Sequence, residues 1–127
     1  MDESAREQFE TKRREAPLVL RFEEYVKSLN MVPVRNRIIP KGEVKALYTD
    51  MFVIEPQLLV EAKGSVTRIV FRMAIGQIAD YRRYLNKPRA AILVPGEPRQ
   101  GLLDLAAAEG IGVIWHLDGA FESTVKY

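Results

Sequence analysis

Apolar residues recur at helical spacing in one early segment of the chain, after a stretch in which polar residues dominate. From Pro17 to Leu29 the apolar positions lie three or four residues apart, which predicts a helix with Pro17 in its first turn. Residues 1–14 are almost wholly polar. We expect them to form a helical lead-in or the remnant of a linker, followed by one domain over residues 15–127.

Short apolar runs alternate with turn residues in the middle of the chain. They predict three strands, over residues 31–39, 46–54 and 58–63. Gly64 and Ser65 interrupt the third run, and Ser65 is expected to cap a long helix over residues 66–85.

Apolar strands and helices alternate in the second half of the chain. Strands are predicted over residues 90–94 and 111–115, with a helix over 100–109 between them and a weaker last strand over 121–126. Such alternation favours parallel crossovers. The expected fold class is therefore α/β, with a mixed central sheet and helices on both of its faces.

Composition narrows the chemistry that this domain can support. The chain has 127 residues, 47% of them hydrophobic and 28% charged, with no cysteine and one histidine. Thiolate and histidine-rich metal sites are therefore excluded, and a metal would have to be bound by oxygen, as magnesium, manganese and calcium are. No apolar run is long enough to span a bilayer and no apolar signal region begins the chain, so we expect a cytoplasmic protein without membrane contact.

Charged residues interrupt two neighbouring predicted strands in a pattern that suggests a cation-binding or catalytic site. Glu61 and Lys63 are two residues apart and share one face of their strand. If the preceding strand pairs with it through the Glu55–Gln57 turn, Asp50 reaches the same place. Two carboxylates so close repel each other unless a proton or a cation lies between them. The alternative for Asp50 is a strand-end carboxylate in a turn hydrogen bond, and for Glu61 and Lys63 a pair on a solvent-exposed face.

A magnesium ion would suit this arrangement, because it binds about two carboxylates together with waters and a phosphate oxygen. Lys63 beside it could activate a water or offset charge in the transition state of phosphodiester hydrolysis. On the predicted helix over 66–85, Gln77 and Tyr81 lie one turn apart on the inward face. They either complete the site or pack as satisfied polar groups between helix and sheet.

Arg68 and Arg72 lie on the other face of the same predicted helix. They either contact DNA phosphates or form a solvated face.

The order of these residues resembles a known family. Asp50, then Glu61-Ala62-Lys63, then Gln77-Ile78-Ala79-Asp80-Tyr81 is similar to the PD-(D/E)XK nuclease superfamily, and the glutamine–tyrosine pair is similar to a motif of its exonuclease and DNA-repair branch. The resemblance implies a three-layer α/β/α restriction-endonuclease-like fold with a mixed central sheet. Thr49 departs from the pattern, because proline often precedes the first carboxylate.

The resemblance also implies roles for individual residues. Asp50 and Glu61 would be the ligands of Mg²⁺ or Mn²⁺, Lys63 the catalytic lysine, and Gln77 and Tyr81 auxiliary active-site residues.

The first helix of the family often supplies a further acidic ligand. Glu15 would take this role here, in competition with Glu23 and Glu24 on the same helix. Glu15 alternatively complements the dipole at the start of the helix.

The implied function is a magnesium-dependent nuclease that hydrolyses DNA phosphodiester bonds, in restriction, defence or DNA repair. Its expected partners are DNA and either a second copy of the chain or a DNA-recognition domain. One alternative is a catalytically silent module of the same fold that binds DNA or a protein. Another is a phosphohydrolase that acts on nucleotides. Endonuclease or exonuclease action, and DNA or RNA as substrate, both stay open.

Overall fold

The computed structural model describes residues 2–125, which form three helices and eight strands. The helices are α1 (Glu3–Ser28), α2 (Arg68–Arg82) and α3 (Gln100–Ala108). The strands are β1 (Pro33–Val34), β2 (Arg37–Ile38), β3 (Leu47–Tyr48), β4 (Met51–Val53), β5 (Leu58–Ala62), β6 (Arg89–Val94), β7 (Gly112–Leu117) and β8 (Ala120–Ser123).

Six of the strands form one mixed sheet in the order β1-β4-β5-β6-β7-β8. Strands β5, β6 and β7 run parallel, and the other neighbours in this sheet pair antiparallel. Helix α2 connects β5 to β6 and helix α3 connects β6 to β7, as parallel neighbours require a crossover. Strands β2 and β3 pair separately as a two-stranded antiparallel sheet. The mixed α/β character expected from the sequence is confirmed.

Two hydrophobic clusters use alternate residues of the central strands. Leu58, Val60 and Ala62 of β5 belong to a cluster with Leu18, Phe22 and Val26 of α1. Leu59, between them, belongs to a second cluster whose helical members come from α2 and α3, namely Phe71, Ala74, Ile78, Tyr81, Leu102 and Ala106. Because successive strand residues point to opposite faces, α1 packs on one face of β5 and α2 on the other.

Helix α1 begins far earlier than the apolar pattern indicates. The expected start at Pro17 is wrong, whereas the helical lead-in, one of the two alternatives for the polar segment before residue 15, is confirmed from Glu3 onward. Asp2 caps the helix by accepting a hydrogen bond from Ala5 N at 2.7 Å, and Pro17 lies in the helix interior. Helix-favouring polar residues and pairs such as Glu10–Arg14, 3.9 Å apart, extend the helix through the segment that lacks an apolar stripe. Apolar periodicity detected only the half of α1 that packs on the sheet.

The first two predicted strands are each divided in two. Residues 31–39 give β1 and β2, and residues 46–54 give β3 and β4. The two ladders are out of step, since β2–β3 pairs Arg37 with Tyr48 whereas β1–β4 pairs Val34 with Phe52. The segment 46–54 therefore has one more residue between its two ladders than the segment 31–39, as in a β-bulge. The continuous strands expected over these two segments are wrong.

The later elements follow the prediction closely, apart from the two ends of α2, which begins at Arg68 and ends at Arg82 and not at residues 66 and 85. Strands β5, β6 and β7 and helix α3 lie within two residues of their expected bounds. The cap of α2 is Thr67, whose hydroxyl accepts from Val70 N at 3.3 Å, so the expectation of Ser65 is wrong. Strand β8 ends at Ser123; Lys126, the expected end of the last strand, lies outside the described residues.

Gly64 marks the place where α1 crosses the end of β5. A Cβ atom on Gly64 would collide with the backbone carbonyl of Thr11 and would lie 2.8 Å from Arg14 Cβ. Arg14 Nη1 also donates to Gly64 O at 3.5 Å. Only glycine allows the helix backbone to approach the strand end this closely.

We therefore expect Gly64→Ala to lower the free energy of unfolding by about 1–3 kcal/mol, because the clash involves backbone that cannot rotate away. Gly76→Ala is the matched control: Gly76 is exposed within α2, and an added Cβ meets no atom within 4 Å. This control should gain about 0.5–1 kcal/mol from helix propensity. Urea unfolding followed by circular dichroism measures both, and equal stability of wild type and Gly64→Ala would contradict the packing described.

Candidate active site

Asp50 and Glu61 face each other across the β4–β5 ladder. Met51 pairs with Val60, so the next pair in this antiparallel register is Asp50 with Glu61. The Asp50 carboxylate also accepts a hydrogen bond at Oδ2 from Ala62 N at 2.9 Å. The hydrogen bond and the register together fix the Asp50 carboxylate beside the side chain of Glu61.

Thr49 holds the chain just before Asp50. Its side chain is fully buried; its hydroxyl accepts from Asn36 N at 2.9 Å and donates to Asn36 Oδ1 at 3.1 Å. Its own N–H donates to Asn36 O at 3.1 Å. These three bonds anchor the irregular segment between β3 and β4, and bulges of this kind redirect a neighbouring side chain. Thr49 is thus a positioning residue for Asp50.

Glu61 is a buried acid beside another acid. Its side chain is 3% exposed, and burial, then the charge of Asp50, raise the pKa of Glu61 to about 9, although Lys63 opposes this shift. Without a cation, Glu61 therefore keeps its proton at neutral pH. Among residues 2–125, no donor bonds Glu61 Oε2, although this oxygen is buried. A buried oxygen without a donor is costly, and a cation would satisfy it.

Lys63 follows the end of β5 and is also buried, at 6% exposure. Its N–H donates to Leu93 O at 2.8 Å, which extends the parallel pairing with β6 past Ala62. Lys63 and Glu15 both line a cleft of about 770 Å³ between the first half of α1 and the start of α2. The predicted lysine therefore lies at the inner end of an open cleft.

Glu15 lies close enough to Lys63 and Asp50 for their charges to change its pKa. Burial raises the pKa of Glu15, Lys63 lowers it, and Asp50 raises it again. Glu23 and Glu24, the alternatives to Glu15 as the acidic residue from α1, have different surroundings. Glu23 forms an ion pair with Lys27 at 3.0 Å, and Glu24 is exposed.

Helix α2 brings Tyr81 and Gln77 toward the carboxylates. Burial, then the charges of Glu61 and Asp50, raise the pKa of Tyr81 to about 12, so its hydroxyl stays protonated and can donate. Gln77 Oε1 is buried and accepts no hydrogen bond from any residue in the described part of the chain. Asp50 and Glu61 thus lie close enough to Tyr81 for their charges to change its pKa. Gln77 lies one turn before Tyr81 on the same helix.

Arg68 and Arg72 are exposed on α2 and neither lines the cleft. A Cβ atom on Gly101 would lie 4.0 Å from the Arg68 guanidinium, which places that side chain near the start of α3. Their role in DNA contact stays a prediction.

One cation near the site was not identified from the sequence. Arg35 Nε donates to Thr49 O at 3.0 Å, its guanidinium lies 4.9 Å from the ring centre of Tyr48, and its charge lowers the pKa of Tyr81. The sequence contains a signal for Arg35, because this residue interrupts an apolar run. Its position near Thr49 and Tyr81 depends on the bulge, which the sequence pattern does not predict.

The described residues contain no group of three or more histidine, aspartate and glutamate side chains arranged to hold a metal ion. Asp50 and Glu61 form a pair only. Their hard oxygen donors and the buried Glu61 Oε2 nevertheless suit a magnesium ion that takes its other ligands from water and substrate.

Comparisons with known proteins add no relative: no protein-family model, no curated protein and no solved structure matches the chain. Within residues 2–125, no helix is both long and apolar enough to cross a membrane.

The dependence of stability on pH tests the burial of Glu61. Because its pKa rises from 4.5 to about 9 on folding, the unfolded chain loses this proton at lower pH than the folded chain. The free energy of unfolding should therefore fall as pH rises between these values, by at most about 1.4 kcal/mol per pH unit from this group.

Glu61→Gln should remove that part of the slope, whereas Glu24→Gln, at an exposed position, should follow the wild type. Urea unfolding across the pH range gives the curves. Parallel curves for wild type and Glu61→Gln would contradict a proton held by Glu61.

Proposed function

We propose that this protein is a magnesium-dependent nuclease that hydrolyses DNA phosphodiester bonds. The observation that carries the proposal is the convergence of Asp50 and Glu61 across β4 and β5, with the buried Lys63 two residues beyond Glu61 at the cleft. Two carboxylates and a lysine so placed match the chemistry of metal-assisted phosphodiester hydrolysis. The resemblance to the PD-(D/E)XK superfamily rests on the same residues.

The proposal includes the finer description of the fold, a three-layer α/β/α restriction-endonuclease-like arrangement. Two features support it. Strands β5, β6 and β7 are parallel and joined by α2 and α3, while β4 joins them antiparallel as the strand before the site. Helix α1 packs in one hydrophobic cluster, and α2 and α3 pack in the other.

Asp50 and Glu61 would hold Mg²⁺ or Mn²⁺ between their carboxylates. The bound cation would lower the pKa of a water and neutralise charge on the scissile phosphate. Glu61 must lose its proton before it can act as a ligand, since the pKa of Glu61 is raised to about 9 in the metal-free protein. Asp50 is already aimed by its hydrogen bond from Ala62 N.

Lys63 would place its ammonium group beside the attacked phosphate and stabilise the negative charge of the transition state. Its burial strengthens this effect, because charge interactions are larger where water is excluded. Tyr81, kept protonated, would donate a hydrogen bond, and the Gln77 amide would orient substrate or water. Glu15 would act from the opposite wall of the cleft.

DNA is the proposed substrate, with the cytoplasm as the expected location and restriction, defence or repair as the setting. The cleft of about 770 Å³ is too small to enclose a duplex by itself. We therefore include a second copy of the chain or a separate DNA-recognition domain in the proposal.

A second candidate function is a catalytically silent module that binds DNA or a protein. The observation that favours it is the pair of carboxylates without a third ligand in the described residues, one of them protonated. Cleavage separates the two candidates, because a silent module would bind DNA without hydrolysing it.

Incubation of the purified protein with linear, circular and single-stranded DNA in Mg²⁺ or Mn²⁺ tests the proposal. We expect cleavage that stops when a chelator is added. Asp50→Asn and Lys63→Met should each lower the rate by about 100- to 10,000-fold, because each removes a group that acts on the reacting phosphate.

The matched controls for the cleavage assay are Glu24→Gln and Lys87→Gln, which neutralise exposed charges outside the cleft and should cleave like wild type. Absence of cleavage with every metal and substrate would contradict the proposal. So would full activity of the Asp50 and Lys63 variants.

Metal binding can be measured without turnover. By mass action, Mg²⁺ at about one hundred times its dissociation constant should add about 2.7 kcal/mol to the free energy of unfolding. The Tm of wild type should rise accordingly in differential scanning fluorimetry, and that of Asp50→Asn should not. An equal rise in both proteins would place the cation elsewhere.

A further inference from the structure

A second cleft, which the proposed chemistry does not use, lies between α1 and the ends of β6 and β7. Its volume is about 300 Å³. Its polar lining consists of Arg13, Arg14 and Arg21 from α1 and His116 from β7, and no carboxylate is among the described residues that line it. A concave surface lined by three guanidinium groups favours the binding of an anion.

The charges of this cleft are poorly compensated. The partner of Arg13 is a ring, since its guanidinium lies 5.8 Å from the ring centre of Phe9. Arg14 has a long contact of 3.9 Å with Glu10. Among the side chains that the structure describes, no acidic group lies within 4.0 Å of the charged groups of Arg13 or Arg21. Three like charges therefore line one cleft, and an anion bound there would reduce their mutual repulsion.

One wall of the cleft is formed by packed residues of α1 and β7. His116 is half-buried, and its ring lies 5.1 Å from that of Phe121, the residue opposite it on β8. Leu18, at 2% exposure, forms part of the apolar floor. The imidazole, packed against Phe121, therefore offers a ring N–H from the strand side of the cleft, and the arginines line it from the helix side.

The two clefts are neighbours at the carboxyl ends of the parallel strands β5, β6 and β7. Strands β5, β6 and β7 are parallel. Lys63 and Pro95 directly follow β5 and β6, and His116 is the last residue but one of β7. Arg14 lines both clefts and donates to Gly64 O, next to Lys63. Ligands of open parallel sheets bind at this edge.

We propose that the cleft formed by Arg13, Arg14, Arg21 and His116 binds a phosphate group of the same nucleic acid strand that enters the candidate active site. This inference rests on the proposed function and deepens it. Arginine is suited to the task, because its planar group donates two parallel hydrogen bonds to phosphate oxygens. The group is either a terminal phosphate or an internal phosphodiester, and the two are distinguished by the ends of the DNA.

Inorganic phosphate tests the cleft without any nucleic acid. We expect phosphate to raise the Tm of the wild-type protein in fluorimetry, beyond the effect of chloride at equal ionic strength. Arg21→Gln should lose this rise, while Lys87→Gln, which removes an exposed charge near the opposite end of β6, should keep it. Arg13→Gln provides a second variant of the same cleft.

DNA binding is then measured by fluorescence anisotropy in a chelator, which prevents cleavage. The probes are one oligonucleotide with a 5′-phosphate, the same strand with a 5′-hydroxyl, and a closed circle. Arg21→Gln should weaken binding roughly 5- to 10-fold and reduce the slope of log affinity against log salt by about 0.7, the effect of one lost phosphate contact on a single strand. Loss confined to the 5′-phosphate probe identifies a terminal phosphate, and equal loss on all three identifies an internal one.

The outcomes separate this inference from the nuclease proposal. If Arg21→Gln and Arg13→Gln respond to phosphate and bind all three probes as the wild type does, the phosphate cleft is wrong even when the protein cleaves DNA. If both variants lose the phosphate response and bind the DNA probes more weakly while the wild type cleaves nothing, the phosphate cleft is supported and the nuclease proposal fails. A wild type that gains no stability from phosphate and binds none of the probes overturns the cleft directly.

Discussion

When two carboxylates face each other and one of them is buried, the buried one keeps its proton more readily unless positive charge lies between them. Here Asp50 is half-buried and Glu61 is buried. Asp50 and Glu61 are in this situation, and the protein resolves it by keeping a proton on Glu61, whose pKa is raised to about 9. Lys63 stands close enough to oppose the shift without cancelling it. The proton therefore occupies the place where a divalent cation would be most strongly attracted.

Two backbone features make this arrangement possible. The bulge before β4, anchored by Thr49 and Asn36, turns Asp50 toward the neighbouring strand. At the end of β5, Gly64 lets α1 pass so close that Glu15 and Lys63 line the same cleft. Much of the irregular structure in this fold thus serves to bring charged side chains to one edge of the sheet, against the electrostatic cost of burying them.

The sequence predicted the parts of this structure that follow regular periods. Strand parity placed Glu61 and Lys63 on one face, and helical spacing placed Gln77 and Tyr81 together; the structure has Glu61 and Tyr81 within electrostatic range. The first half of α1 was left open between helix and linker, because it packs against Gly64 and carries no apolar stripe. Of the cleft residues on that half, Glu15 was identified from the sequence, and others such as Arg14 were not. The bulge was also missed, since side-chain bonds such as those of Thr49 leave no periodic signal.

The most direct test of the central claim is the number of protons released when the protein binds Mg²⁺. Isothermal titration calorimetry at neutral pH, repeated in buffers of different ionisation enthalpy, gives this number. If a cation replaces the proton of Glu61, the wild type releases about one proton per Mg²⁺ ion bound, and Glu61→Gln releases none. Binding of Mg²⁺ by the wild type without proton release would contradict the account, because the cation would then occupy another place or the two carboxylates would share no proton.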